Sequence, residues 1–90
     1  MDKNIEERLI EILNKYVNED VVTVQNGFMQ AKYLIKNFSY NIEEDILSCI
    51  SSDTTYISVN INMINNITYK DNELGMYLDN DTIIKYKKLG

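Results

Sequence analysis

Two of the acidic segments of this chain could do chemistry. One is the consecutive run at residues 43–45, with a further aspartate at position 53, and the other is the Asp-Asn-Asp sequence at residues 79–81. A pair of carboxylates can act as acid and nucleophile on a glycosidic bond, and neighbouring carboxylate and amide oxygens can bind Ca²⁺. The acids concerned are Glu43, Glu44, Asp45, Asp53, Asp79 and Asp81.

Neither kind of site is complete in the sequence. Ninety residues leave little room for a substrate cleft, and residues 79–81 lack the spacing and the final bidentate glutamate of a calcium-binding loop. The same acids are ordinary residues of turns and helix caps. We therefore predict that the protein is not an enzyme and binds no metal or cofactor, and that these carboxylates contact a protein partner.

The other common catalytic groups are missing or stand alone. The chain has no histidine, which removes the commonest general base and the commonest zinc ligand. Its single cysteine, Cys49, stands between Leu47 and Ile50 as a small core residue would, and one thiol cannot form an internal disulfide or a thiolate metal site. A lone cysteine is typical of a protein in the reducing cytoplasm.

A basic segment near the end of the chain offers a second candidate surface. Lys85, Lys87 and Lys88 surround Tyr86 and could contact phosphate, although lysines on a terminal strand also discourage edge pairing. The whole chain carries a net charge of -5, and nucleic-acid affinity comes mainly from phosphate neutralisation. We therefore predict a protein partner with a basic surface rather than nucleic acid. RNA binding through Lys85, Tyr86, Lys87 and Lys88 is the alternative.

A helix and one long alternating segment are the clearest structural signals. Residues 4–18 carry a one-sided apolar stripe at helical spacing. Residues 54–63 alternate strictly between apolar and polar side chains, which predicts a half-buried strand. The alternation restarts at Ile64, which predicts a bulge or a single helical turn that exchanges the two faces. The stripe of the helix consists of Ile5, Leu9, Ile12, Leu13 and Tyr16.

Shorter patterns predict further strands. A β-branched run at residues 21–24 ends at Asn26-Gly27, a strong hairpin signal, and a long strand at residues 28–40 follows and bends near Asn37. Residues 41–52 fit either a helix or a turn followed by a strand, and we favour a turn at 41–45 and a strand at 46–51. Residues 74–78 and 82–88 predict a terminal hairpin.

These elements predict a single α+β domain over residues 1–90. An N-terminal helix packs on a twisted antiparallel sheet of five or six strands, which is partly closed as a small barrel. No run approaches eighteen apolar residues and no signal-peptide pattern opens the chain. We therefore predict a soluble, cytoplasmic protein without a membrane partner.

The order of elements over residues 4–70 resembles an Sm-like barrel, a small SH3-like fold. The resemblance is carried by Val22, Val24, Asn26 and Gly27 in the first hairpin and by the Ile-Asn-Met-Ile-Asn-Asn-Ile sequence at residues 61–67. It implies an oligomeric ring and, in RNA-binding members, a base-stacking loop and a basic pair before the last turn. At those two places this chain offers only Tyr40 with Asn41, and Asn62 with Met63. The terminal hairpin has no counterpart in the minimal family pattern and would cap the barrel or block ring assembly.

The residues therefore favour a non-catalytic, acidic protein-interaction module. It would be of the kind that a phage or another accessory genome uses to inhibit a basic, nucleic-acid-handling protein. Two alternatives stay open: an Sm-like oligomer that binds RNA, and a structural or assembly subunit that pairs through a strand edge. Association into a homo-oligomer stays open as well. The predicted partner-binding residues are Glu43, Glu44, Asp45, Asp79 and Asp81.

Overall fold

One α-helix and eight antiparallel strands make up the part of the chain that the computed structural model describes, which is residues 3–27, 30–51 and 54–89. Two short 3₁₀ turns, at Ile61–Met63 and Asp79–Asp81, join β5 to β6 and β7 to β8. The elements are α1 Lys3–Asn14, β1 Val21–Asn26, β2 Ala31–Ile35, β3 Phe38–Glu43, β4 Ile46–Ser51, β5 Thr54–Asn60, β6 Ile64–Lys70, β7 Glu73–Leu78 and β8 Ile83–Lys88.

The strands form two sheets, so the expectation of a single sheet of five or six strands is wrong. The larger sheet has the order β2-β1-β8-β7-β6, and the smaller sheet has the order β3-β4-β5. The chain crosses between the sheets twice, at Lys36-Asn37 and at the 3₁₀ turn Ile61–Met63. At each crossing an edge strand of one sheet continues into an edge strand of the other. The predicted α+β class with an N-terminal helix is confirmed.

The long strand predicted at residues 28–40 is divided between the two sheets. Its first two residues lie outside the described part of the chain, and the rest forms β2 and β3. Asn37 has a φ of 51°, a backbone conformation that asparagine tolerates better than most residues. The bend near Asn37 is therefore confirmed, but it sends the chain to a different sheet, because β2 pairs with β1 and β3 pairs with β4.

The exchange of faces predicted before Ile64 is confirmed as a 3₁₀ turn. The side chain of Asn60 accepts a hydrogen bond from the backbone N–H of Asn62 (2.9 Å) and caps this turn. Ile61 and Ile64, at the start and just after the end of the turn, are both buried. The apolar side chains therefore face one core before and after the turn, although the chain has changed sheets.

The N-terminal helix ends earlier than the predicted boundary at residue 18. After Asn14, the backbone N–H groups of Lys15 and Tyr16 bond to the carbonyl oxygens of Ile12 and Leu13 (both 3.0 Å), which is the tighter 3₁₀ pattern. This turn still places Tyr16 in the core, fully buried. Among the helices of the described residues, none is long and apolar enough to cross a membrane.

Residues 41–52 contain a hairpin, so the strand at 46–51 is confirmed and the turn at 41–45 is too long. β3 continues to Glu43, which pairs with Ile46, and only Glu44 and Asp45 form the loop. Their φ values of 52° and 64° are those of a type I′ loop, whose twist matches that of the flanking strands. The terminal hairpin of β7 and β8 is confirmed as well, but it lies inside the larger sheet, between β1 and β6.

Tyr16 connects the helix to both sheets in a single core. Its ring packs edge-on against Phe38 of β3, with 6.1 Å between ring centroids. Its hydroxyl donates to the backbone carbonyl oxygens of Asn72 (2.8 Å) and Tyr86 (3.1 Å), which both belong to the larger sheet or its β6–β7 turn. On the other side of the core, the Cys49 thiol of β4 donates to the Tyr86 hydroxyl (3.3 Å).

We expect Tyr16→Phe to destabilise the protein without changing its fold. The substitution keeps the ring and removes the one hydroxyl hydrogen that the carbonyl oxygens of Asn72 and Tyr86 share, so the free energy of unfolding should fall by about 1–2 kcal/mol. Tyr40→Phe is the matched control, because the Tyr40 hydroxyl donates to the exposed Asn14 Oδ1 (2.7 Å), where water can replace it. Urea unfolding measures both variants, and equal losses would contradict the role given to Tyr16.

Candidate functional site

Two acidic turns each hydrogen-bond to residues 61–65, and we call them together the acidic end. One turn is the loop between β3 and β4, and the other is the 3₁₀ turn between β7 and β8. The side chains of all its acids are exposed. The acidic end consists of Glu43, Glu44, Asp45, Asp79 and Asp81, which are the residues predicted to bind a partner.

The 3₁₀ turn after β5 bonds to the first of these turns, and the start of β6 bonds to the second. The backbone N–H of Ile61 donates to the carbonyl oxygen of Asp45 (2.9 Å), and Asn62 Nδ2 donates to Asp45 Oδ2 (3.2 Å). Asn65 Nδ2 donates to Asp79 Oδ1 (2.7 Å). Two asparagine amides therefore orient one carboxylate in each turn. The sequence could not show this, because the two turns are far apart along the chain.

The segments that build the acidic end carry no positive charge. Residues 42–47, 60–66 and 78–82 contain neither lysine nor arginine. Within the described ranges, no group of three or more acidic or cysteine side chains could hold a metal ion. Asp53, which the sequence offered as a catalytic partner for the acids at 43–45, lies outside the described residues. The arrangement is a negative surface, which suits a basic partner.

Glu44 occupies a backbone conformation that suits other residues better. Its φ of 52° lies in the left-handed region, which glycine, asparagine and aspartate enter most readily. Asparagine and glycine are the usual residues of a type I′ loop, and a glutamate there costs about 1 kcal/mol. The Glu44 side chain is exposed, so its burial does not offset the backbone strain. A residue in such a strained conformation is grounds for a functional hypothesis.

The outer face of the larger sheet forms a second surface, a groove of about 400 Å³. Alternation along β1 buries Val21 and Thr23 and turns Val22 and Val24 outward. In the register of the sheet, Val22 stands beside Lys87, and Val24 stands between Lys32 and Lys85. We call this surface the lysine groove, with an aliphatic floor of Val22, Val24 and Leu89 and a rim of Lys32, Lys85 and Lys87.

The lysine groove is positive although the chain as a whole is negative. Its one carboxylate is that of Glu73, whose Oε1 lies 3.9 Å from Lys85 Nζ. Both side chains of this pair are about 40% exposed, so water screens the interaction and it contributes little to stability. The lysine rim therefore outweighs the single glutamate.

The fold does not place all residues of the alternative RNA-binding set on one surface. Lys85 and Lys87 lie in the lysine groove, as alternate residues of one strand should. Tyr86 points to the other side of β8 and is fully buried, so its assignment as a surface residue that contacts RNA is wrong. Lys88 follows the alternation of Tyr86 and does not line the groove. Lys32 was missed, because only the pairing of β1 with both β2 and β8 brings it near Lys85.

Cys49 is a core residue, as its sequence neighbours indicated. Its side chain is fully buried, and burial raises the pKa of its thiol to about 11. Burial also raises the pKa values of the Tyr16 and Tyr86 hydroxyls well above their ordinary range. The thiol therefore remains protonated, and a poor nucleophile, at neutral pH.

These raised pKa values predict a loss of stability in alkali. The folded protein retains protons that the unfolded chain releases, so stability is complete below the unfolded pKa and falls as the pH rises above it. We expect the free energy of unfolding to fall from about pH 9 upward, where an unfolded cysteine ionises, and faster above about pH 10, where unfolded tyrosines do.

Cys49→Ala is the variant that isolates the thiol. Its stability should fall less between about pH 9 and 10 than that of the native chain, as measured by urea unfolding across the pH range. A thiol-specific disulfide reagent at about pH 8 should react slowly with the native chain and rapidly after unfolding. Stability that stays constant up to about pH 11 would contradict the burial of these groups.

Comparison with known proteins assigns no family to this arrangement, since no family model, curated protein or solved structure matches the chain.

Proposed function

We propose that the protein is a non-catalytic interaction module whose acidic end binds a basic surface of another protein. The observation that carries this proposal is the meeting of two separate acidic turns around residues 61–65, where Asn62 and Asn65 orient the carboxylates of Asp45 and Asp79. Carboxylates held on a β scaffold are arranged before binding, so little ordering is required when lysines and arginines approach.

The glutamate at position 44 supports a role in binding. Asparagine or glycine would fit its positive φ with less strain. Natural proteins accept local strain of this size where a side chain serves a function. The exposed carboxylate of Glu44, at the tip of the β3–β4 loop, is well placed to meet a partner first.

The proposed partner is a nucleic-acid-handling protein. Such proteins carry basic grooves that neutralise phosphates, and a small body with clustered carboxylates can compete for a groove of that kind. We therefore favour a phage-type or accessory-genome inhibitor. We assign it to the cytoplasm, where a single thiol such as Cys49 stays reduced.

A partly closed barrel is the form of scaffold that we propose for this module. The chain joins an edge strand of one sheet to an edge strand of the other at Lys36-Asn37 and again at Ile61–Met63. Closure at these two corners would protect strand edges from unwanted pairing. The acidic end would then lie on a firm rim.

RNA binding by an Sm-like oligomer is the second candidate, and the lysine groove is the observation that favours it. Lys85 and Lys87 share this groove with Lys32. Base stacking on aromatic side chains supplies about 1–3 kcal/mol per base in single-strand binders, yet none of the described side chains lining the groove is aromatic. The acidic end is therefore the better supported site.

Neutralising the acidic end should weaken binding to a basic probe. The probe is a synthetic peptide rich in lysine and arginine, and the variant is Glu43→Gln with Asp81→Asn, one change in each turn. We expect affinity to fall about fivefold to tenfold, or ~1 kcal/mol, in a fluorescence anisotropy titration. The control is Glu7→Gln with Glu11→Gln, which removes the same charge from the exposed side of α1 and should change affinity by less than about twofold.

Glu44→Asn separates binding from stability at the same site. Asparagine relieves the positive φ, so the free energy of unfolding should rise by about 0.5–1 kcal/mol while the peptide binds more weakly. If the acidic-end variant and the α1 control lose affinity equally, net charge alone explains peptide binding and the acidic end is not the site.

A further inference from the structure

We propose that residues 43–46 of one molecule dock into the lysine groove of a second copy, so that the chain associates head to tail. We call residues 43–46 the acidic tip. The inference rests on the proposed function, since the acidic tip is part of the acidic end. It goes further by naming a second copy of this chain as a partner and the lysine groove as the receiving surface.

The charges of the two surfaces are complementary. The acidic tip carries three exposed carboxylates in sequence, those of Glu43, Glu44 and Asp45. The lysine groove has three ammonium groups around its floor and one carboxylate, which lies beside Lys85. Opposite charges brought together at the rim of an apolar contact fix its orientation and exclude wrong partners.

The apolar parts of the two surfaces also match. Ile46, the last residue of the acidic tip, is 37% exposed, and Leu89 in the groove is 46% exposed. Val22 and Val24 complete an aliphatic floor between the lysines. An exposed isoleucine next to three acids therefore has a counterpart in aliphatic side chains next to three lysines. Burying these side chains against each other removes apolar surface from water.

The narrow shape of the tip suits an open groove. A type I′ hairpin loop has only two residues outside the strands, here Glu44 and Asp45, and is therefore narrow. The groove volume of about 400 Å³ lies at the lower end of the range of ligand-binding clefts. It suits the tip of a hairpin better than a folded domain surface.

The fold prevents a molecule from filling its own groove. The acidic tip belongs to the smaller sheet, whereas the lysine groove lies on the face of the larger sheet that points away from the shared core. Contact must therefore occur between copies. A pair joined by one such contact keeps one tip and one groove unused, and heterologous contacts of this kind continue into rings or open chains.

The net charge of -5 on each copy opposes this association only at long range. At about 0.1 M salt the screening length is about 10 Å, so the local pairing of tip and groove outweighs repulsion between distant parts of the two molecules. A single-stranded nucleic acid is the competing occupant. The aliphatic floor and the carboxylate of Glu73 suit it less well than they suit a hairpin tip.

Sedimentation velocity of the native chain is the first measurement. The average mass should rise from one copy towards two or more with increasing concentration at about 50 mM salt, and it should return to one copy at about 500 mM. A native chain that remains monomeric at every concentration and at low salt overturns the proposal.

Charge reversal then locates the two surfaces. The groove variant is Lys32→Glu with Lys87→Glu, which leaves the Lys85–Glu73 pair intact, and the tip variant is Glu43→Lys with Glu44→Lys. All four side chains are exposed, so the variants should fold, which circular dichroism and urea unfolding verify. Each variant should remain monomeric under the conditions in which the native chain associates.

A combined variant provides the decisive comparison. It carries all four substitutions, keeps the native net charge, and pairs a basic tip with an acidic rim, so it should associate again. An equimolar mixture of the two single-surface variants should also associate. Lys3→Glu with Lys36→Glu changes the net charge as the groove variant does, but lies outside the groove, and should retain association.

The remaining outcomes decide against the proposal or separate it from the proposed function. If the combined variant stays monomeric, or the groove variant associates as the native chain does, the pairing of tip and groove is wrong. A mass increase with a short single-stranded RNA that is lost in the groove variant assigns the groove to RNA and overturns the proposal. A monomeric chain whose acidic end still binds the basic peptide would refute self-association alone.

Discussion

Tyr16, fully buried, joins the helix to both sheets in one core. A domain of this size buries only about 60–65% of the surface that its unfolded chain exposes, so helix and sheets must share one core. Tyr16 makes this sharing specific, because its ring meets Phe38 of the smaller sheet while its hydroxyl bonds to Asn72 and Tyr86 on the larger one. The tight turn after α1 places Tyr16 where it can make these contacts.

Around this core, charged side chains are distributed unevenly over the surface. The acidic end lies at the hairpin loops near the crossing from β5 to β6, and the lysine groove lies on the outer face of the larger sheet. Two surfaces of opposite charge are therefore present on a chain whose net charge is -5. The lysine groove is built on strands and the acidic end on turns that join strands, so the β scaffold holds both in place, and this favours recognition by arranged charges over folding on binding.

The β3–β4 loop shows how a local backbone preference and the proposed function can conflict. The backbone at Glu44 favours asparagine or glycine, yet the loop carries three acids in a row. Asp45 partly compensates, since its carbonyl and carboxylate oxygens accept hydrogen bonds from Ile61 and Asn62. The strain is thus offset by contacts with the neighbouring segment, and the exposed glutamates remain available to a partner.

Most local elements of this protein can be predicted from its sequence alone. Alternation at residues 54–63, the face exchange before Ile64, the strand at 46–51 and the core position of Cys49 all follow from the spacing of apolar residues along one segment. The positions of the acids and lysines along the chain can also be read from the sequence. The surfaces that they form together cannot, because contacts between residues distant in sequence determine which strands pair.

The packing of the whole chain puts β8 between β1 and β7, which places Lys32 and Lys85 on either side of Val24 and turns Tyr86 into the core. It also decided that Asn62 and Asn65 tie two acidic turns together. The physical reason is that alternation assigns side chains to two opposite faces of a strand, whereas the packing of the whole chain determines which face is buried and which residues become neighbours.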